Sequence, residues 1–147
     1  MQTLKIKKLH EGATIPHRAT PGSAGMDLYA CIEEPITIFP NQLVTVPTGI
    51  AIALPDSGCV ALIFARSGLG VKHGISLSNG VGVIDSDYRG EIKVGLCNLG
   101  NEPYTISPNE RVAQLVVTPV LPLPVEETDS LDETERGSGG FGSTGKS

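Results

Sequence analysis

"EIKVGLCN", residues 91–98, decides the fold class: apolar Ile92, Val94 and Leu96 alternate with other residue types. Successive side chains of a strand point to opposite faces, so a period of two places these three on one side of an extended segment. A helix would turn Val94 to the side opposite Ile92 and Leu96. Outward from this stretch the same signal repeats in short β-branched runs: "LKIKKL" (4–9), "ITIF" (36–39), "LVTVPTGIAIAL" (43–54), "CVALIFA" (59–65) and "VAQLVV" (112–117). Prolines and glycines punctuate them roughly every 8–12 residues, the spacing of an all-β sandwich or barrel. No segment sustains a 3.6-residue period; a single helical turn fits near Gly68–His73. Residues 1–125 thus read as one antiparallel β domain. It ends in "TPVLPLPV" (118–125), whose prolines favour an extended segment over another central strand. An acidic linker (126–135) and a Gly-rich, flexible C-terminal arm (136–147) follow.

Charge is unevenly placed. The chain of 147 residues carries a net −5, and residues 126–147 hold six acids and two bases, a net of −4, which leaves −1 for the other 125. A near-neutral body lacks the basic face that nucleic-acid binding needs. No run approaches the roughly 20 apolar residues of a membrane span. The start, "MQTLKIKKLHEG", has no apolar signal core, so a cytoplasmic protein is expected. Cys31, Cys59 and Cys97 match no zinc or redox spacing and are expected as reduced thiols; His10, His17 and His73 form no ligand cluster.

Four polar islands interrupt the strands. "AGMDLYA" sets Asp27 among apolar residues. "ARSGLG" sets Arg66 and Ser67 at a strand end before Gly68 and Gly70. "SNGVGVIDSDYRGE" gathers Asn79, Asp85, Asp87, Tyr88 and Arg89 into a hairpin-like stretch. "NERVAQLV" places Arg111 and Gln114 at the mouth of a strand. Singly, each has an ordinary structural explanation: a hydrogen-bonded strand carboxylate, a turn, an edge cap. Jointly they differ, because four of the five arginines (Arg66, Arg89, Arg111, Arg136) fall in polar islands. Bidentate guanidinium recognition points to an anion, phosphate above all. The last eight residues, 140–147, also fit G-x-x-x-x-G-K-S through Gly140, Gly145, Lys146 and Ser147. That motif cradles phosphate only between a strand and a helix, and neither flank is expected here.

In this order, and followed by "RGSGGFGSTG", the islands resemble the five motifs of the trimeric deoxyuridine triphosphatases over about residues 1–145. "GVIDSDYRGE" and "RGSGGFGSTG" carry most of the likeness. The resemblance implies a jelly-roll-like β subunit and a homotrimer whose three active sites are shared between chains. It implies hydrolysis of dUTP to dUMP and pyrophosphate, keeping uracil out of DNA and supplying dUMP for thymidylate synthesis. Motif by motif, Asn79 and the backbone of the Gly80–Asp85 hairpin, including Gly82, Val83 and Ile84, would read uracil. Tyr88 would pack on deoxyribose, where a ribose 2′-hydroxyl would clash, and Lys93 would touch the nucleotide. Asp85 would activate the water that attacks the α-phosphorus. Arg66, Ser67, Gly68 and Gln114 would contact phosphates. Arg136 would clamp the γ-phosphate and Phe141 would stack over the base, closing the site. Mg²⁺ is implied as cofactor, held mainly by the triphosphate with no direct protein ligand, and Asp27 would support it through water. Gly70 stands where alanine is commoner in the family, and Val83 where threonine is frequent. A deoxycytidine triphosphate deaminase of the same fold would need a glutamate beside the base, which "SNGVGVID" lacks. A non-catalytic, dUTP-responsive regulatory module would bind dUTP without turnover and a partner protein through the linker; neither a nucleic acid nor a membrane is expected as a partner of this chain.

Overall fold

The computed structural model describes residues 2–142. Eleven strands and one short helix run in the order β1 (Lys5–Lys8), β2 (Met26–Tyr29), β3 (Ile36–Ile38), β4 (Leu43–Pro47), β5 (Ile50–Ala53), β6 (Cys59–Phe64), α1 (Ser67–His73), β7 (Ile75–Leu77), β8 (Gly82–Ile84), β9 (Lys93–Asn98), β10 (Tyr104–Ile106) and β11 (Arg111–Pro119). All pairings are antiparallel. One sheet has the order β2-β11-β6-β8 and another β4-β9-β7, with two-stranded ribbons β1-β5 and β3-β10. Both larger sheets contribute to a single core that contains Leu28, Ile63, Val94, Leu96 and Leu115. This is an all-β jelly-roll, the class expected from the runs of alternating residues. Among the described residues, no helix is long and apolar enough to cross a membrane.

β9 behaves as its alternation requires. Ile92, Val94 and Leu96 are buried while Lys93 is exposed. The same face ends on a polar residue, Asn98, which is fully buried. Its amide donates to the carbonyls of Ile38 and Glu102 at 2.8 Å each and its Oδ1 accepts from the Gly100 amide at 2.8 Å. A buried amide with every partner in place stitches the ribbon and the sheet together instead of destabilising the core.

The helical turn expected near Gly68–His73 is a seven-residue helix. Two internal glycines argue against it, at about 1 kcal/mol each relative to alanine. Its end offsets them: Gly74 takes a left-handed φ of 70° and its amide reaches back to the carbonyls of Gly70 and Leu69. Leu69 is buried beneath the helix. A side chain at Gly74 would stand 2.6 Å from the Gly100 amide nitrogen, so the helix end seats directly on the turn after β9.

β11 lies between β2 and β6 only as far as Leu115; beyond it, pairing continues with β6 alone. Pro119, which has no N–H to donate, therefore occupies an edge, where the missing donor costs nothing. Thr118 and Pro119 thus close a strand, and only the rest of "TPVLPLPV" is strand-free.

Candidate active site

The sequence-derived residues gather into two clusters. The first is built on β2, the end of β6 and the start of β11. Asp27 accepts from Arg66 Nε at 3.0 Å and from an Arg111 terminal nitrogen at 3.4 Å. Arg66 also reaches the Arg111 carbonyl at 3.4 Å. Gln114 faces Asp27 across one ladder and Phe64 across the other, and its amide donates to the Ala65 carbonyl at 2.9 Å. One carboxylate shared by two guanidiniums leaves the group a net positive charge, suited to an anion. Ser67 and Gly68 open α1 beside it and are exposed.

Arg111 and Gln114 are three residues apart, which in a regular strand would put them on opposite faces. The β2–β11 register shifts between Arg111 and Ala113. This bulge buries Val112 and Ala113 consecutively and returns Gln114 to the face of Arg111. Strand periodicity alone would have separated the two.

Two residues in this region escaped the sequence reading. The Tyr104 hydroxyl is hydrogen-bonded to a Glu110 carboxylate oxygen, while the other oxygen of Glu110 accepts from the Ser107 amide at 3.0 Å. Burial, the bond to Glu110 and the charge of Glu110 push the Tyr104 pKa up to about 12, against an opposing pull from Arg66. Its ring lies 4.8 Å from that of His73 at the end of α1. The acid directly before Arg111 was the one available hint.

The second cluster is a pocket of about 430 Å³. It is lined by Asn79, Gly82, Val83, Ile84, Asp85, Tyr88 and Lys93, all expected at the site from the sequence, together with Ile63, Glu91 and Ile92, which were given no place there. The Gly80–Asp85 stretch is not a two-stranded hairpin. A turn at Asn79–Gly80, with Gly80 donating to the Leu77 carbonyl at 3.1 Å, carries the chain from β7 to β8. Those strands pair with β9 and β6 in different sheets. The segment crosses the sandwich, which is how it walls a cavity.

Asp85 is exposed, and among the described residues its carboxylate has no hydrogen bond or ion pair. The Tyr88 hydroxyl donates to the Glu91 carbonyl at 2.9 Å. Arg89 departs from the anion-binding pattern of the arginines. A terminal nitrogen donates to the carbonyls of Ser86 and Tyr88, at 2.7 and 3.1 Å, so the side chain clamps its own turn.

Arg136 and Phe141 join neither cluster. Arg136 Nε donates to the Gly139 carbonyl at 2.9 Å within a local turn, and Phe141 is fully exposed at φ 50°. Of the Walker-like residues, Gly145, Lys146 and Ser147 lie outside the described residues. No group of three or more His, Cys, Asp or Glu is arranged to hold a metal among the described residues.

The family profile described as dUTPase matches residues 11–145. A deoxyuridine 5′-triphosphate nucleotidohydrolase of Desulfitobacterium hafniense is 50% identical over 151 aligned positions, covering the whole of both chains. The structure of a Staphylococcus bacteriophage 80alpha dUTPase variant with dUpNHpp superposes with a TM-score of 0.89 at 26% identity, covering 98% of this chain and 99% of that one. A phage phi11 dUTPase variant of S. aureus, described with a structural Mg(II) ion, shares the fold at a TM-score of 0.78 and 23% identity, over 87% and 97% of the two chains. With full-length identity at this level, matching architecture and all five motifs in order, the chain belongs to the dUTPase family.

Proposed function

We propose that this protein hydrolyses dUTP to dUMP and pyrophosphate at a site completed by neighbouring copies of the chain. The observation that carries the reading is the pocket in which Asp85, a carboxylate without a partner among the described residues, stands beside the Tyr88 ring and the backbone of Gly82–Ile84. In that pocket Asn79 and the main chain of β8 bind uracil, and Tyr88 lies against the sugar. Asp85 accepts a hydrogen bond from a water and directs its lone pair at the α-phosphorus. A carboxylate positioned on a water suits general-base work of this kind. The new P–O bond forms as the bond to the bridging oxygen of the β-phosphate breaks. Pyrophosphate leaves, and the water proton passes to Asp85 and on to solvent.

Charge developing on the phosphate oxygens needs positioned cations and N–H groups. Arg66, Ser67, Gly68 and Gln114 supply them from the first cluster. In the homotrimer implied by the resemblance to the trimeric family, the two clusters would meet across a subunit boundary. The arm from Arg136 onward then closes the site, with Arg136 on the γ-phosphate and Phe141 over the base. Closure excludes bulk water and strengthens each of these interactions.

The donor set suits an ion carried mainly by the triphosphate: its one carboxylate, Asp27, is already shared by two guanidiniums and is left to reach a Mg²⁺ only through water. Bound there through water by Asp27, the ion would offset phosphate charge.

A pyrophosphate-release assay across dUTP, UTP, dTTP and dCTP tests the reading, with release from dUTP alone expected. Ammonia released from dCTP would mark a deaminase instead. Tight dUTP binding without turnover would mark a regulatory module.

A further inference from the structure

We infer that Gly90 and Glu91 are positioning residues that fix the Tyr88 ring in the pocket wall and so set discrimination between 2′-deoxyribo- and ribonucleotides. The inference rests on the pocket being a dUTP site, and it concerns residues to which the five-motif likeness gives no role. Tyr88 is nearly half exposed, and its hydroxyl makes one hydrogen bond, to the Glu91 carbonyl at 2.9 Å. A single neutral hydrogen bond biases a side chain by only about fivefold. An apolar surface by itself rejects an added hydroxyl by only about a hundredfold at best. A ring that excludes a 2′-hydroxyl by steric contact must therefore be immobilised by more than that bond.

Two features do this. The hydroxyl end of the ring lies against Gly90: a Cβ there would stand 2.6 Å from Tyr88 Cζ, inside any permitted contact. Only glycine lets the ring lie where it does. Behind it, the Glu91 carboxylate accepts from the Gly49 amide at 3.0 Å. Gly49 cannot give way. Its φ is 68°, its carbonyl accepts from the Leu9 amide at 2.7 Å, and a side chain there would stand 2.8 Å from Cys31 Sγ. The next residue is tied to the same turn, since the Ile92 amide donates to the Ile50 carbonyl and the Ile92 carbonyl accepts from the Thr48 hydroxyl at 2.6 Å. The carbonyl that receives the Tyr88 hydroxyl is thus held from both sides by the turn between β4 and β5.

The test is the ratio of kcat/KM for dUTP to that for UTP in the full-length protein and in Gly90→Ala, Glu91→Ala, Glu91→Gln and Tyr88→Ala. Gly90→Ala displaces the far end of a side chain, not the backbone, so it should fold and lower the ratio about tenfold or more. Glu91→Ala should lower it in the same direction, mostly through improved use of UTP, with little change in KM for dUTP. Glu91→Gln, which keeps an oxygen for the Gly49 amide, should stay within about twofold of the parent. An unchanged ratio in both Gly90→Ala and Glu91→Ala, with a fallen ratio in Tyr88→Ala, overturns the inference while leaving the site reading intact. Absence of dUTP turnover in the parent protein would instead overturn the site reading on which it rests.

Discussion

The two clusters solve opposite problems. Around Asp27 every charge already has a partner: two arginines share one carboxylate, and Gln114 is tied to the backbone of Ala65. Around Asp85 the catalytic candidate has no partner among the described residues, and the order lies in the walls, in Tyr88 against Gly90 and Arg89 closing its own turn. A group that must hold the same anion through a reaction benefits from being braced beforehand. A group that must exchange protons with water benefits from having no competing partner. Damage to the braced cluster should therefore appear in stability and substrate binding, and damage to the open one in turnover.

The sharpest way to break this contrast is Asp85→Asn. Turnover should fall by about 10²–10⁴-fold, with dUTP binding and thermal stability almost unchanged. Retention of more than roughly a tenth of the parent rate would remove Asp85 from the role of water activator. Next in size is the arm, which belongs to neither cluster. Truncation after Glu135 should cost about tenfold to a hundredfold in kcat/KM, from loss of one stacked ring and one charge-assisted clamp. Removing only Lys146 and Ser147 should cost less than about threefold, and the reverse ranking would revive the Walker reading.

Asp27→Asn should invert the signature of Asp85→Asn. The ion pairs are partly exposed, so the loss of stability should be about 1 kcal/mol, measured by urea titration, with a raised KM and a smaller effect on kcat. An equal fall in kcat with no change in stability would dissolve the contrast. The smallest effect at neutral pH should come from Tyr104→Phe. The tyrosine pKa is raised in the folded state to about 12 from 10, so the folded protein holds its proton where the unfolded chain has lost it. Its contribution to stability is full below pH 10 and is lost as pH climbs toward 12. The denaturation midpoint should therefore fall less between pH 9 and 12 in the variant than in the parent.

What the sequence displayed was whatever a local pattern can carry. The face of β9 follows from three residues at a period of two, and the pocket residues Asn79 to Lys93 lie in one contiguous stretch. What it hid depends on pairing between distant segments. The bulge that brings Arg111 and Gln114 together exists only in register with β2, some 84 residues earlier for the Arg111–Asp27 pair. The passage of residues 78–82 from one sheet to another looks locally like a hairpin, because turn chemistry is the same in both cases. Arg89 looked like its fellow arginines because composition cannot tell a guanidinium aimed at a ligand from one folded onto the carbonyls beside it.

The place of β11 in its sheet has a consequence for how the molecule comes into being. The last strand to be synthesised is inserted between β2 and β6, so β2 has no neighbour in that sheet until residues 111–119 arrive. At about 5–20 residues per second, β2 waits on the order of ten seconds. Contacts this far apart in sequence also close slowly, since chain entropy must be given up before they form. Asp27, Arg66 and Gln114 meet only in that closing step. A nascent chain can thus complete this cluster no earlier than the pairing of β11, although the residues that line the Asp85 pocket have by then been made.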